Sequence, residues 1–259
     1  MKKKVVVKMG GSTLDTENVL SLFAEAVARV LANCDVVVIH GGGKDIGRQL
    51  ERMGREFQFI DGLRVTDDEV IDVVEMVLSG LVNKWITRAL EKHGVRAVGI
   101  SGTDLGLFHA TKLTVKGGDL GYVGAIEKVN TELVELLLSH NIIPVISPIS
   151  IGPERRAYNV NADHAACRFA EFWKADDLIY ITDVPGITIQ GTLREKIRID
   201  EVEALIHSGD VTGGMIPKLM NSASAVINGV KRVHIIEWNG PESIENSLKK
   251  DIHWGTIIE

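Results

Sequence analysis

The sequence predicts an α/β fold built on a largely parallel sheet. Three observations carry this. Short β-branched runs alternate with stretches of helical period from end to end of the chain, the pattern of strands joined by right-handed crossovers. The runs are continuous rather than alternating, as in Val36-Val37-Val38-Ile39, so such strands are buried on both faces. Glycines stand directly behind two runs, Gly10-Gly11 after Val5 to Met9 and Gly41-Gly42-Gly43 after Val36 to His40. A strand, a turn without β-carbons and a helix N-terminus form a hollow of bare amide N–H groups suited to phosphate or carboxylate oxygens.

Residues 5–7 are the first strand. Residues 19–31 are a helix, with Leu20, Phe23, Val27, Val30 and Leu31 on one stripe. Residues 35–40 are the second strand, and Ile46, Leu50 and Met53 mark one face of a helix over 44–53. Residues 56–60 are an edge strand or a hairpin arm. Thr66-Asp67-Asp68-Glu69 is a helix cap with an acidic first turn, opening a helix over 68–78 and a second one to residue 92. Residues 97–101 are a strand. Residues 108–115 and 122–129, around Gly117-Gly118-Asp119, form a β-hairpin inserted on the parallel sheet. A helix over 132–140 leads to one buried strand over 142–151, which carries Pro144 and Pro148. Asn161 caps a helix over 162–173. A strand over 177–182, helices over 199–207 and 215–227, and a final strand over 233–236 complete the order. The softest boundary is Lys174-Ala175-Asp176, dividing residues 1–173 from a shorter unit, 174–259.

The chain has 259 residues, 45% of them apolar, enough for one large or two modest cores. Its formal charge of −6 provides no basic field for nucleic acid. No apolar run approaches the ~20 residues of a membrane span, and the apolar run behind Lys2-Lys3-Lys4 breaks off at Lys8, too early for a signal peptide. A cytoplasmic location is expected. Cys34 and Cys167 lack CxxC spacing and read as packing residues.

The usual nucleotide signatures are missing. There is no GxxxxGK[ST], and Ile46 stands where a GxGxxG motif needs its third glycine. Other positions attract attention. Lys8 lies in an apolar run, where an unpaired charge costs several kcal/mol; it is either a strand end reaching solvent or a cation serving the adjacent glycines. Arg64, in Gly62-Leu63-Arg64-Val65-Thr66, offers two-pronged recognition of a carboxylate or is a surface arginine. Asn159-Val160-Asn161-Ala162-Asp163 sets two amides and an acid at a strand–helix junction, as a cap with polar neighbours or as a site. Thr182-Asp183-Val184-Pro185-Gly186-Ile187 ends a parallel strand, where open α/β sheets bind ligands, or is a generic turn. Thr212-Gly213-Gly214-Met215-Ile216-Pro217-Lys218 opens a helix, and Lys218 there opposes the helix dipole unless an anion is present. Among eight histidines only His40, beside the glycine turn, draws notice, and His164 packs or caps.

In this order, Lys8-Met9-Gly10-Gly11, His40-Gly41-Gly42-Gly43, Gly62 to Thr66, Asn159 to Asp163, Thr182 to Ile187 and Gly213 to Lys218 resemble the acetylglutamate kinases of the amino acid kinase family. The likeness extends to Val98-Gly99-Ile100-Ser101-Gly102 and Gly255-Thr256. It implies a three-layer αβα sandwich around a mainly parallel sheet. It implies ATP-dependent phosphorylation of the γ-carboxylate of N-acetyl-L-glutamate in arginine biosynthesis, with Mg2+ accompanying ATP and no protein-held metal. The resemblance makes Lys8 and Lys218 the transition-state cations and Asp163 the acid that orients them. It assigns Gly42, Gly43, Arg64, Asn159 and Asn161 to the acid substrate. Gly10, Gly11, Asp183, Val184, Pro185, Gly186, Ile187, Thr188, Asp210, Val211 and Thr212 fall to ATP. It gives residues 1–173 to acetylglutamate and dimerisation and 174–259 to ATP. Arginine-inhibited members carry an extra N-terminal helix that links dimers into hexamers; with the first strand at about residue 5, a homodimer insensitive to arginine is expected, its face on the 68–81 region. The rival readings are a sister kinase for another carboxylate, such as carrier-linked aminoadipate, and a non-catalytic sensor on the same fold.

Overall fold

The computed structural model describes residues 2–10, 16–249, 252 and 254–259. The chain opens with β1 (Lys3–Met9), α1 (Glu17–Val30), β2 (Cys34–His40) and α2 (Gly43–Arg52). A two-residue-per-arm hairpin follows, β3 (Phe59–Ile60) and β4 (Leu63–Arg64). Its turn is Asp61-Gly62, both at positive φ (51° and 76°), the geometry that matches strand twist. The next helix is continuous in three parts: α3 (Asp68–Glu75), a π-helical segment (Met76–Val82) and α4 (Asn83–Lys92). The Asp67 carboxylate caps it, accepting from the Glu69 and Val70 amides.

Then come β5 (Ala97–Ser101), β6 (Phe108–Lys112), β7 (Val123–Val129), α5 (Glu132–Ser139), β8 (Ile143–Ser147), β9 (Ile149–Ile151), β10 (Ala157–Val160) and α6 (Ala162–Trp173). The last part holds β11 (Asp177–Thr182), the short strands β12 (Thr188–Ile189), β13 (Thr192–Leu193) and β14 (Lys196–Ile197), α7 (Val202–His207), α8 (Met215–Ile227), β15 (Arg232–Glu237), α9 (Ser243–Leu248) and β16 (Thr256–Ile258).

One eight-stranded sheet runs in the order β14-β16-β15-β11-β1-β2-β8-β5. Its six strands from β15 to β5 are parallel, and β16 runs antiparallel to β15. Helices cover both faces, so the layers are α, β, α. Alternate residues of β1 enter different cores: Val5, Val7 and Met9 pack with α1 to α4 and α9, while Val6 packs with α5 to α8. Cys34 and Cys167 are free and buried in opposite cores.

Three expectations are corrected. Residues 142–151 are two strands, not one. Pro148 has no N–H for a ladder and a fixed φ, so β8 stays in the main sheet and β9 leaves it. The 108–129 hairpin is therefore not on the parallel sheet; β6 and β7 close a separate four-stranded barrel with β9 and β10. The 233–236 strand is not final, because β16 follows it and pairs with it. Three residues are too few for a period to show, and the partner strand supplies the pattern.

Candidate active site

The sheet parity that buries Val6 turns Lys8 to the same face, beside Tyr180 of β11, its register partner. That face is covered by α6, whose second residue is Asp163. Lys8 Nζ lies 2.6 Å from Asp163 Oδ1, and Lys218 Nζ lies 2.5 Å from Asp163 Oδ2. One carboxylate thus holds two ammonium groups from opposite ends of the chain. Burial alone would raise the pKa of Asp163, but the charges of Lys8 and Lys218 outweigh it and hold it at about 2. Lys218 is pulled below the usual lysine range, first by burial; Asp163 opposes the shift and Lys8 adds to it. Its ammonium also stands 4.8 Å from the centre of the Tyr180 ring, and the Tyr180 hydroxyl donates to the Asp163 carbonyl oxygen at 3.1 Å. The strand lysine is therefore not an end reaching solvent: its side chain is 11% exposed and ion-paired.

Two cavities meet at this carboxylate. The first, about 440 Å³, is walled by Lys8, the Gly41–Gly43 turn, Arg64, Asn159, Asn161 and Asp163. Gly42 precedes α2, which has no side-chain cap, so its first-turn amides lack intrahelical partners. A β-carbon on Gly42 would come within 2.7 Å of the Leu78 Cδ2 methyl, so a larger residue there would displace that side chain. Arg64 is buried, with Nη2 donating to the Gly43 carbonyl oxygen at 2.9 Å. Its guanidinium sits 4.2 Å and 4.8 Å from the ring centres of Phe57 and Phe59. Nη1 is buried with no hydrogen-bond partner among the described residues, and burial lowers the Arg64 pKa. An orphaned, desolvated donor of this kind calls for an anion.

Asn159 donates to the Thr66 hydroxyl at 3.2 Å and faces the same cavity. Asn161 has its oxygen committed as the cap of α6, accepting from the amides of Asp163 (2.8 Å) and His164 (3.3 Å). Both readings of that segment therefore hold together: it is a cap, and it lines the cavity.

The second cavity, about 650 Å³, is walled by Asp163, His164, the Gly213-Gly214 turn, Pro217, Lys218 and residues of the β3–β4 hairpin and β7. His164, half-buried and a wall of this cavity, accepts from the Ile126 amide through Nε2 at 3.1 Å. Asp183, Val184, Pro185, Gly186, Ile187 and Thr188 follow β11 on the carboxyl edge of the sheet, and none of them, nor Asp210, Val211 or Thr212, is among the walls of these two cavities. Ile187 and Val211 are buried core residues, and the Val211 amide donates to the Leu205 carbonyl oxygen at 3.3 Å. Gly186 has φ of +144° and lies against Thr256, which accepts from the Ile187 amide at 2.8 Å. The charge of Asp183 acts on Lys218. Gly10 is buried behind β1, and the Gly41 amide donates to the Met9 carbonyl at 3.1 Å, which ties the two glycine turns together. Gly11 lies outside the described residues.

Sequence reasoning did not single out Phe57, Phe59, Tyr180 or Asn83. The aromatic residues beside Arg64 sit seven and five positions before it, too scattered to signal a stack without the hairpin. Asn83 is fully buried behind the glycine turn, and a polar residue in an apolar helix pattern was its one available signal.

Two cations shared by one carboxylate, between an amide-lined hollow and a second cleft, are the equipment of an enzyme that moves a charged group between two anions. The comparisons agree. The model of the amino acid kinase family matches residues 3–237. An acetylglutamate kinase of Campylobacter curvus is 42% identical over 99% of this chain and 92% of its own. That of Nitrosococcus oceani is 39% identical over 99% of this chain and 90% of its own. The structure of smu.665 from Streptococcus mutans UA159 superposes with a TM-score of 0.82 at 29% identity, covering 100% of this chain and 99% of that one. The chain belongs to the amino acid kinase family.

Proposed function

We propose that this chain transfers the γ-phosphoryl group of ATP to the γ-carboxylate of N-acetyl-L-glutamate, in arginine biosynthesis. The observation that carries the proposal is the Lys8–Asp163–Lys218 cluster at the meeting of two cavities, one of which is walled by Arg64, whose buried Nη1 has no partner among the described residues. The acceptor carboxylate is already a nucleophile, so no strong base is needed. One of its oxygens bonds to the γ-phosphorus as the bond to the ADP oxygen breaks, and ADP leaves. The enzyme's work is to bring two anions into line and to quench the charge on the moving group. Lys8 and Lys218 do this from opposite sides of Asp163, and the Gly42 and Gly43 amides add neutral donors.

Arg64 grips the α-carboxylate, while Asn159 and the free amide end of Asn161 hold the rest of the acid. Gly10, Gly11, residues 183–188 and residues 210–212 receive the nucleotide. Magnesium would accompany the nucleotide and would supply charge screening of its phosphates. Asp163 is engaged by two lysines. Residues 1–173 form the acid-binding lobe and 174–259 the nucleotide lobe, with the Lys218–Asp163 pair joining them. A homodimer forms over the 68–81 segment, supported by Met76 (58% exposed) and Leu81 (40% exposed) on its surface. No helix among the described residues is long and apolar enough to cross a membrane.

Trapping the acyl phosphate with hydroxylamine tests the proposal. Acetylglutamate should give hydroxamate with ATP, and glutamate, aspartate and aminoadipate derivatives far less. Preference for one of the other acids, or ATP binding with no hydroxamate from any, overturns it. Arg64→Ala should raise KM for acetylglutamate by ~10–100-fold, the worth of a charge-assisted hydrogen bond, with a smaller change in kcat. An unchanged KM would free Arg64 from substrate contact.

A further inference from the structure

Behind the glycine turn runs a buried polar chain that the reaction above leaves unused. His40 ends β2 and is wholly buried. Its Nδ1 is 2.9 Å from the Gly41 carbonyl oxygen, and its Nε2 is 3.2 Å from Asn83 Nδ2. The partners set the tautomer. A carbonyl oxygen only accepts, so Nδ1 carries the proton. Asn83 Nδ2 also faces the carbonyl oxygens of Ile100 (3.2 Å) and Val145 (2.9 Å), while its Oδ1 accepts from Lys84 Nζ at 3.0 Å. That end of the amide is therefore the NH2, its two hydrogens shared among three acceptors, and Nε2 accepts. Burial, opposed by the Gly41 hydrogen bond and aided by the Lys84 charge, drives the imidazole pKa down to about 4. The ring is neutral at pH 7. Asn83 reaches this position because Gly99 makes room: a β-carbon there would meet Asn83 Oδ1 at 1.8 Å.

His40 is not a wall of the glycine-lined cavity, whereas Gly41, Gly42 and Gly43 are. The Gly41 carbonyl and the Gly42 N–H belong to one peptide group, which is trans, so they point in opposite directions. A glycine–glycine peptide has no β-carbon to choose between its two faces. A donor behind the carbonyl makes the choice. We infer that His40 is a positioning residue whose Nδ1–H, locked by Asn83, anchors the Gly41 carbonyl on the buried side and thereby aims the Gly42 N–H into the cavity at the transferring phosphoryl group. The inference rests on the phosphoryl-transfer reading proposed above.

His40→Phe removes the donor at similar volume, and His40→Asn restores an N–H near the Nδ1 position. His40→Phe should lower kcat on the order of 10–100-fold, since the amide donor is misaimed rather than deleted. Both KM values should stay close to wild type. Affinity for ADP with aluminium fluoride and acetylglutamate, a mimic of the phosphoryl group in transfer, should fall with kcat, while affinity for a non-hydrolysable ATP analogue holds. His40→Asn should recover most of the loss. A folded His40→Phe with wild-type kcat, an equal loss for mimic and analogue, or an Asn variant as impaired as Phe overturns the proposal. If the Phe variant does not fold, the ¹⁵N histidine spectrum of the wild type decides. A neutral His40 protonated at Nδ1 supports the anchor, and protonation at Nε2 overturns it. A wild type that forms no hydroxamate would instead sink the parent reading, and the spectrum would still test the anchor.

Discussion

Lys218→Ala should lower kcat by at least ~10²-fold, and Lys8→Ala should do the same, with the fold intact in both. Each ammonium sits within 2.6 Å of Asp163 and is 11% exposed, so each is desolvated and fixed before any substrate arrives. A charge held this way costs no reorganisation when negative charge builds on the transferring group, and it acts in a medium less screening than water. The effect therefore belongs to kcat more than to KM. Stability suffers little, because removing one lysine leaves Asp163 with the other. The measurement is kcat by coupled ADP release, beside a thermal melt. Turnover close to wild type in either variant would remove that lysine from the mechanism. An equal fall in melting temperature and activity would make its role structural.

Asp163→Asn produces the second large effect, on stability as well as rate. Without the carboxylate the two lysines face each other in a cleft that water reaches poorly. Removing one partner of a buried ion pair costs ~3–5 kcal/mol, less here to the extent that the cleft is open. The nucleotide carries the missing negative charge, so ATP should raise the melting temperature of the variant more than that of the wild type. The pH dependence has a definite sign. The folded-state pKa of Asp163, about 2, lies below the ordinary 3.8, so its stabilisation is complete above 3.8 and is lost as pH falls through 2. The stability gap between wild type and variant should be full at pH 7 and close in acid. A gap that ignores both pH and nucleotide would show that the carboxylate does not hold the lysines together.

Much of this was open to reading in one dimension because the relevant physics is local. Lys8 announced itself as a cation inside a valine run. Asn161 showed as a cap because it lies directly ahead of a helical period. The glycine turns, the acidic first turn at Asp67 and the continuous apolar strands all depend on neighbours within a few positions. Errors arose where a local pattern met a non-local decision. The apolar run over 142–151 looks like one strand, and Pro148 divides it between two sheets. The hairpin over 108–129 was legible as a hairpin, but its partners in the barrel come from β9 and β10. β16 is too short to announce itself and exists because β15 offers an edge.

The chain by itself determined the α/β class, the strand ends that carry Lys8 and the glycines, and the helix starts that carry Asp163 and Lys218. Backbone preference and side-chain period act over single turns and strands, so these follow from composition and order. Only the tertiary structure decided that the three charges meet. The register that sets Lys8 beside Tyr180 and Met9 beside His40 is fixed by packing between strands distant in sequence. The same packing stacks Phe57 and Phe59 on Arg64 and seats Asn83 against Gly99. Such contacts depend on the summed burial of many side chains, and no local stretch of residues encodes that sum.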